Sequence, residues 1–291
     1  MGRKPSALHI GPAGIPHSTK KKSTPEGVRR VAELGLDAME IEFVRGVRMS
    51  DKLAEETRRA AEETGVILTV HAPYYVNLLS NDSAKVEASI RRILDSARAG
   101  YKAGAWSVVF HPGYYGKTPS EQGVRRVREA LKKIVKQLRD EGIEIWIRPE
   151  TMGGLSEIGS LEEVIDMVDG IDNASVAMDF AHLYARSLGE FNTYEKFTGA
   201  LELIERRLGN EALKNMHIHV SGMEYGSRGE RKHLNLHESE FRWESVLKAL
   251  KDFNVKGVLI CESPSLEEDA LRIKNAWHKI LRSKPKPQHV A

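Results

Sequence analysis

Six short apolar runs in this chain end in, or contain, a histidine or a carboxylate. His71 lies in Thr69-Val-His-Ala-Pro-Tyr-Tyr75, His111 in Val109-Phe-His-Pro-Gly-Tyr-Tyr115, and Glu150 in Ile147-Arg-Pro-Glu-Thr151. Asp179 and His182 lie in Ala177-Met-Asp-Phe-Ala-His182, His217 and His219 in Met216-His-Ile-His-Val220, and Glu262 in Leu259-Ile-Cys-Glu-Ser-Pro264. Imidazoles and carboxylates together suit Zn2+ or Mn2+. The single cysteine, Cys261, rules out a thiolate zinc module and an internal disulfide. Three carboxylates focused on one site would repel one another unless cations offset them. More ligands than the usual four imply more than one ion, with a carboxylate such as Glu150 bridging two.

Convergence of these residues requires elements that bring six strand ends together. Strand-like runs cover Ala7–Ala13, Ala38–Val44, Ile67–His71, Ser107–His111, Ile143–Arg148, Ser175–Met178, Met216–Val220 and Gly257–Cys261. They are short and apolar, as strands buried on both faces should be. Helical patterns alternate with them: Thr24–Leu34, Ser50–Thr64, Asp82–Ala103, Pro119–Glu141, Ser160–Val168, Thr193–Lys214, Arg242–Phe253 and Ser265–Leu281. Ser160-Leu-Glu-Glu163 and Ser265-Leu-Glu-Glu268 have the form of capping boxes, and Gly35, Gly65, Gly104 and Gly142 stand where a helix ends. Eight strand–helix units predict an α/β chain folded as one (β/α)8 barrel over residues 1–283, with a flexible Pro/Lys tail at 284–291. In such a barrel the strand ends meet at the C-terminal mouth, where a metal site is expected. Asp179 and His182, three apart, would share one side of a helical turn. His217 and His219 share a strand face. His217 is taken as the ligand and His219 as its support, while Cys261 should face the helices.

The 291 residues include 44 Lys+Arg and 41 Asp+Glu, a formal charge of +3. That balance excludes a histone-like basic coat, though not a local basic rim. No apolar run approaches the ~18 residues of a membrane span. The basic start has no apolar run after it, so no signal peptide is expected. With one cysteine, the chain fits a reducing compartment such as the cytoplasm, as a monomer.

The pieces His71-Ala-Pro-Tyr-Tyr-Val-Asn77, His111-Pro-Gly113, Pro149-Glu150, Asp179-Phe-Ala-His182, Met216-His217, Gly226-Ser-Arg228 and Glu262-Ser-Pro264, in that order, resemble the endonuclease IV family of apurinic/apyrimidinic endonucleases. The resemblance implies a TIM barrel with a trinuclear zinc site (two or three ions, with Mn2+ as an alternative) that cleaves DNA 5′ to abasic sites through a metal-activated hydroxide. It assigns His71 and His111 to a first ion, with Glu150 as bridge to a second held also by Asp179, His217 and Glu262. His182 falls to the third, and Glu150 and Glu262 are the catalytic carboxylates. It places Arg45, Tyr74, Asn77 and Arg228 on the DNA. The family's third site uses Asp-x-His after Gly-Ser-Arg; here Gly226-Ser-Arg-Gly-Glu-Arg-Lys-His233 puts Glu230 and Lys232 in those places. Protonated lysine cannot ligate. Either Glu230 and His233 serve instead, or the third site is weak, absent or occupied by the Lys232 charge.

Glu150, Asp179, His217 and Glu262 also resemble the single-metal site of xylose-isomerase-like sugar isomerases and epimerases. That reading leaves His71, His111 and His182 without a ligand role. A metal-binding barrel without catalysis is a third class, with only the altered third site in its favour.

Overall fold

The chain is described here from a computed structural model over residues 2–282, so the expected 284–291 tail lies outside the described residues. Strands run over Leu8–Pro12 (β1), Ala38–Glu42 (β2), Ile67–His71 (β3), Ser107–Phe110 (β4), Trp146–Pro149 (β5), Ala177–Asp179 (β6), Met216–Val220 (β7), Gly222–Gly226 (β8), Gly229–Leu234 (β9) and Gly257–Cys261 (β10). Eight of them are parallel and form two arcs, β1–β10–β7–β6 and β2–β3–β4–β5. Isolated parallel bridges, Ala13 to Glu40 at one seam and Ile147 to Ala174 and Glu150 to Ala177 at the other, close the arcs into a barrel. The expected (β/α)8 architecture is the one observed.

Strand alternation sorts side chains into two populations. Met39, Ile41, Leu68, Val70, Val108, Phe110, Met216, Ile218, Val220 and Cys261 join the large core under the helices. The barrel interior begins with a small apolar floor of Ala38, Ile67, Trp106, Val258 and Ile260. Above the floor the inward positions turn polar: Glu40, Thr69, Ser107, Arg148 and His217, then His71, Glu150, Asp179 and His219, all buried. The Arg148 guanidinium lies 4.8 Å from the Trp106 ring and donates to the carbonyls of Val176 and Asn215. It closes the floor beneath the polar layers.

Helix boundaries follow the caps. Ser160 accepts from the backbone N–H of Glu163, and Glu163 accepts from that of Ser160, completing the expected capping box. The second box does not form. The Ser265 N–H donates to Asn235 Oδ1, Leu266 sits at φ 44°, and the last helix starts at Glu267, whose carboxylate takes the N–H groups of His17 and Ser18. Gly209, at φ 83° and ψ 164°, splits the expected 193–214 helix into Tyr194–Leu208 and Asn210–Leu213. Two elements went unanticipated: the antiparallel β8–β9 hairpin and the full extent of the helix Phe180–Arg186. Among the described residues no helix is long and apolar enough to cross a membrane.

β1 approaches β2 so closely that a Cβ on Gly11 would fall on the Ala38 carbonyl group. Gly11→Ala is therefore expected to cost about 3 kcal/mol, since backbone rather than a flexible side chain must move. The shift in urea midpoint measures it; a loss below about 0.5 kcal/mol, the scale of a surface substitution, would contradict this seam.

Candidate metal centre

His71, His111, Glu150, Asp179 and Glu262 sit at the end of a barrel strand or just beyond it. His71 ends β3, Glu150 follows β5, and Asp179 ends β6. Asp179 also caps the helix after it: its Oδ1 accepts from the His182 N–H at 2.7 Å. That cap fixes the first turn, so His182 stands over the mouth three residues on. The His182 Nδ1 lies 2.9 Å from the Thr151 carbonyl.

Glu150 is the hub. Its Oε2 lies 3.1 Å from His111 Nε2 and 3.4 Å from His71 Nε2, and its Oε1 lies 2.7 Å from His219 Nδ1. Among the described residues four groups present potential ligand atoms within 4.8 Å of one another: three adjoin at the mouth, His71, His111 and Glu150; Glu150, Asp179, His182 and Glu262; His182, Glu230 and His233; the fourth, Glu40, His217 and His219, lies beneath them. Glu150 belongs to two of them and His182 to two. Asp179 Oδ2 and Glu262 Oε2 are buried without a hydrogen-bond partner. Buried, clustered and unpartnered carboxylate oxygens are what a divalent cation would satisfy, and the donor set fits zinc or manganese.

The hairpin settles which residues approach the third group. In a regular strand Glu230 and His233, three apart, would face opposite ways. The β8–β9 register shifts by one: Tyr225 pairs with Glu230 and Glu224 with Lys232, leaving Arg231 as the extra residue of a bulge. The bulge turns Glu230 and His233 onto one face, where Glu230 Oε2 is 3.2 Å from His182 Nε2 and Oε1 is 3.5 Å from His233 Nε2. Lys232 pairs with Glu224 at 3.2 Å and borders the mouth cavity beside them. At the hairpin tip Gly229 (φ 87°) lies against the Gly153 carbonyl, a position with no room for a Cβ. Of the two readings of this segment, the structure has Glu230 with His233 facing His182.

The structure does not bring His217, the expected ligand, to Asp179 and Glu262; the two β7 histidines sit at different depths. His217 and His219 both point inward, but His219 pairs in register with Asp179 and Ile260, one step nearer the mouth. His219 Nδ1 therefore reaches Glu150, and lies 3.4 Å from Glu262 Oε1. His217 lies a layer deeper, with Nδ1 2.7 Å from Ser107 Oγ and Nε2 3.0 Å from Glu40. It does not join Asp179 and Glu262, whose group has His182 as its imidazole, while His219 Nδ1 faces Glu150 and Glu262 from the side. Glu40 and Glu42 were missed by sequence reasoning. Their signal was present: acids at alternate positions of the otherwise apolar Ala38-Met-Glu-Ile-Glu42 must face the barrel axis.

These neighbours displace most of the titrations. Burial pushes Glu150 and Glu40 up, but the surrounding imidazoles hold both well below the usual carboxylate range. Burial prevails at Glu42, pushed up to about 8, and at Glu262, pushed up to about 7. Against burial, Glu150 and Glu42 raise His71 to about 10, and Glu230 and Glu262 raise His233 to about 9. His182 and His219 are raised well above the ordinary imidazole value, burial being outweighed by Asp179 and Glu230 for the first and Glu262 and Glu40 for the second. Burial drops His217 to about 4. The carboxylates thus draw protons onto the imidazoles of the metal-free chain.

The mouth opens into a cavity of about 460 Å3 bordered by His71, His111, His182, Glu230, His233 and Glu262. Tyr74 and Tyr114, each 50% exposed, stand on its wall. Arg45 and Arg228 are exposed, on the loop after β2 and in the hairpin turn. Asn77 is half-buried, and its Oδ1 accepts the N–H groups of Leu79 and Tyr114, so it holds the tyrosine loop. A cavity of about 490 Å3 at the other end of the barrel is lined by Lys4, Trp146, Asp169 and Arg207. Its lining includes none of the potential metal-ligand groups found among the described residues, which directs attention to the mouth.

His71, His233, Glu42 and Glu262 all titrate above their unfolded values. Each therefore stabilises the fold at lower pH and loses that contribution as pH rises through its folded value. The metal-free protein is expected to lose stability between about pH 5 and pH 10, read as a falling urea midpoint. Zn2+ should flatten the decline by replacing the protons. A metal-free midpoint constant across that range would contradict the proton-loaded cluster.

A sequence model of the xylose isomerase-like TIM barrel family matches residues 28–281. An uncharacterized protein of Methanocaldococcus jannaschii is 42% identical over 273 residues, 94% of this chain and 98% of that one. A probable endonuclease 4 of Bacillus licheniformis is 27% identical over 230 residues, 76% and 75% of the two chains. Among solved structures, endonuclease IV from Thermus thermophilus superposes with a TM-score of 0.68 at 24% identity, over 93% of this chain and 98% of that chain. A D-tagatose 3-epimerase-like protein superposes with a TM-score of 0.69 at 22% identity, over 94% and 97%. At these identities the structural likeness speaks for the fold, and both endonuclease and epimerase share it. Sequence and architecture agree: this chain belongs to the xylose isomerase-like TIM barrel family.

Proposed function

We propose that this protein is a metal-dependent phosphodiesterase that cuts DNA on the 5′ side of abasic sites, as the resemblance to endonuclease IV suggests. The observation that carries the reading is the set of three adjoining ligand groups, the third completed by Glu230 and His233 across the Arg231 bulge. A one-ion sugar epimerase would use only Glu150, Asp179, His219 and Glu262. It would leave the His71/His111 group and the His182/Glu230/His233 group with no task.

Zinc or manganese bound there would supply Lewis acidity to the phosphate and lower the pKa of water. His71, His111, Glu150, Asp179, His182, His219, Glu230, His233 and Glu262 would hold the ions. The protein's own share is positional. Glu150 ties the first two groups together and Asp179 sets the His182 turn. Glu262 borders the cavity and, with one oxygen toward an ion, would use the other to orient the attacking water and accept its proton. Arg45 and Arg228 would meet backbone phosphates, and Tyr74 would stack on the nucleotide next to the lesion.

Metal-loaded protein is expected to nick a duplex immediately 5′ to a synthetic abasic site, with a chelator abolishing the cut. His111→Ala should lower incision by about 100-fold or more, the scale of losing a metal or its positioning. Lys232→Ala should retain incision within a few-fold. Duplex binding should weaken steeply with salt. No incision by metal-loaded protein, together with epimerisation of a ketose, would replace this reading with the sugar epimerase.

A further inference from the structure

The polar layer beneath the mouth has no task in the proposed reaction, yet it is built around one carboxylate. Glu40, fully buried on β2, accepts from Thr69 Oγ1 at 2.8 Å and has two imidazoles against its oxygens: His217 Nε2 3.0 Å from Oε2 and His219 Nε2 2.9 Å from Oε1. Neither imidazole contact is well aligned as a hydrogen bond, and His219 Nε2 has no other partner. His217 is held on its far side by Ser107 Oγ at 2.7 Å from Nδ1. His219 thus spans two layers, with Nδ1 toward Glu150 and Glu262 and Nε2 toward Glu40.

We propose that Glu40 is a positioning residue for the metal centre: it holds the Nε2 proton of His219, so that Nδ1 is the nitrogen offered to an ion. A neutral imidazole has one donor and one acceptor nitrogen, and the partner of one decides the role of the other. Carboxylates behind metal-bound histidines fix tautomer and ring orientation in this way. Glu40 can accept here because Oε2 takes Thr69 while Oε1, buried without a hydrogen-bond partner, faces His219 Nε2 at 2.9 Å. A Ser107 hydroxyl that donates to His217 Nδ1 leaves the His217 proton on Nε2, facing Glu40, so that of the two imidazoles only His219 offers a nitrogen to the ions above. The inference rests on the metal-centre reading of the mouth.

The test uses full-length protein labelled with 15N-histidine and loaded with zinc, in wild-type, Glu40→Gln and Thr69→Val forms. Long-range proton–nitrogen correlation reads which nitrogen of His219 carries the proton, and chelator competition reads zinc affinity. Wild-type His219 is expected to be protonated at Nε2 and metal-bound at Nδ1. Glu40→Gln, which keeps the shape and removes the charge, should weaken the zinc bound by His219 by about 10- to 100-fold. Thr69→Val, which removes one donor to Glu40, should weaken it by a smaller factor. A zinc ion on Nε2 of His219, or unchanged zinc affinity in folded Glu40→Gln, overturns the proposal. Should Glu40→Gln not fold, unchanged affinity in Thr69→Val overturns it instead. Wild-type protein that takes up no zinc fails the metal-centre reading itself, which separates the two failures.

Discussion

Buried negative charge with nowhere to go is the constraint on which this barrel turns. Glu40, Glu150 and Asp179 are fully buried inside one closed sheet. Glu42 and Glu262 join them at its rim. Taking a carboxylate out of water costs several kcal/mol unless a partner offsets it. Here the partners are imidazoles, which accept protons when no metal is bound and can exchange them for ions. A stable protein would gain nothing from such an interior without a cation to bind, because an apolar interior of equal volume serves stability as well or better.

Local geometry then distributes the ligands. Parallel strands deliver side chains to the mouth at intervals fixed by register, so His71, Glu150 and Asp179 arrive together although each comes from a different unit. The remaining ligands come from short features after the strands. Asp179 caps the turn that raises His182, and the β8–β9 bulge swings Glu230 and His233 over it. Arg148, packed on Trp106 at the floor, closes the opposite end. In the proposed reading the mouth layer would hold the ions and the layer beneath would orient their ligands.

Much of this was legible in the residues. The alternation of short apolar runs with capped helices predicts eight units, and polar residues at six strand ends place a site at the mouth. What stayed hidden has identifiable physical reasons. His217 and His219 share a face, so alternation cannot rank them; only the barrel's stagger, which sets His219 beside Asp179, decides depth. The spacing Glu230-Arg-Lys-His233 looks wrong for a shared face until one residue is spent on a bulge, and a bulge depends on the partner strand. Ser265 resembled a helix cap, but its N–H goes to Asn235 across the mouth, a tertiary contact that local sequence does not encode. Glu40 and Glu42 were readable by the same alternation that exposed the histidines, yet their meaning depends on what faces them.

The central claim is that the mouth holds one ion for each of its three adjoining ligand groups, and that the bulged hairpin supplies the third. Elemental analysis of zinc-loaded protein, wild type beside Glu230→Gln, tests it most directly. The account predicts three ions per chain in the wild type and two in the variant. A single ion per chain, unchanged by Glu230→Gln, would contradict it and leave a one-ion barrel.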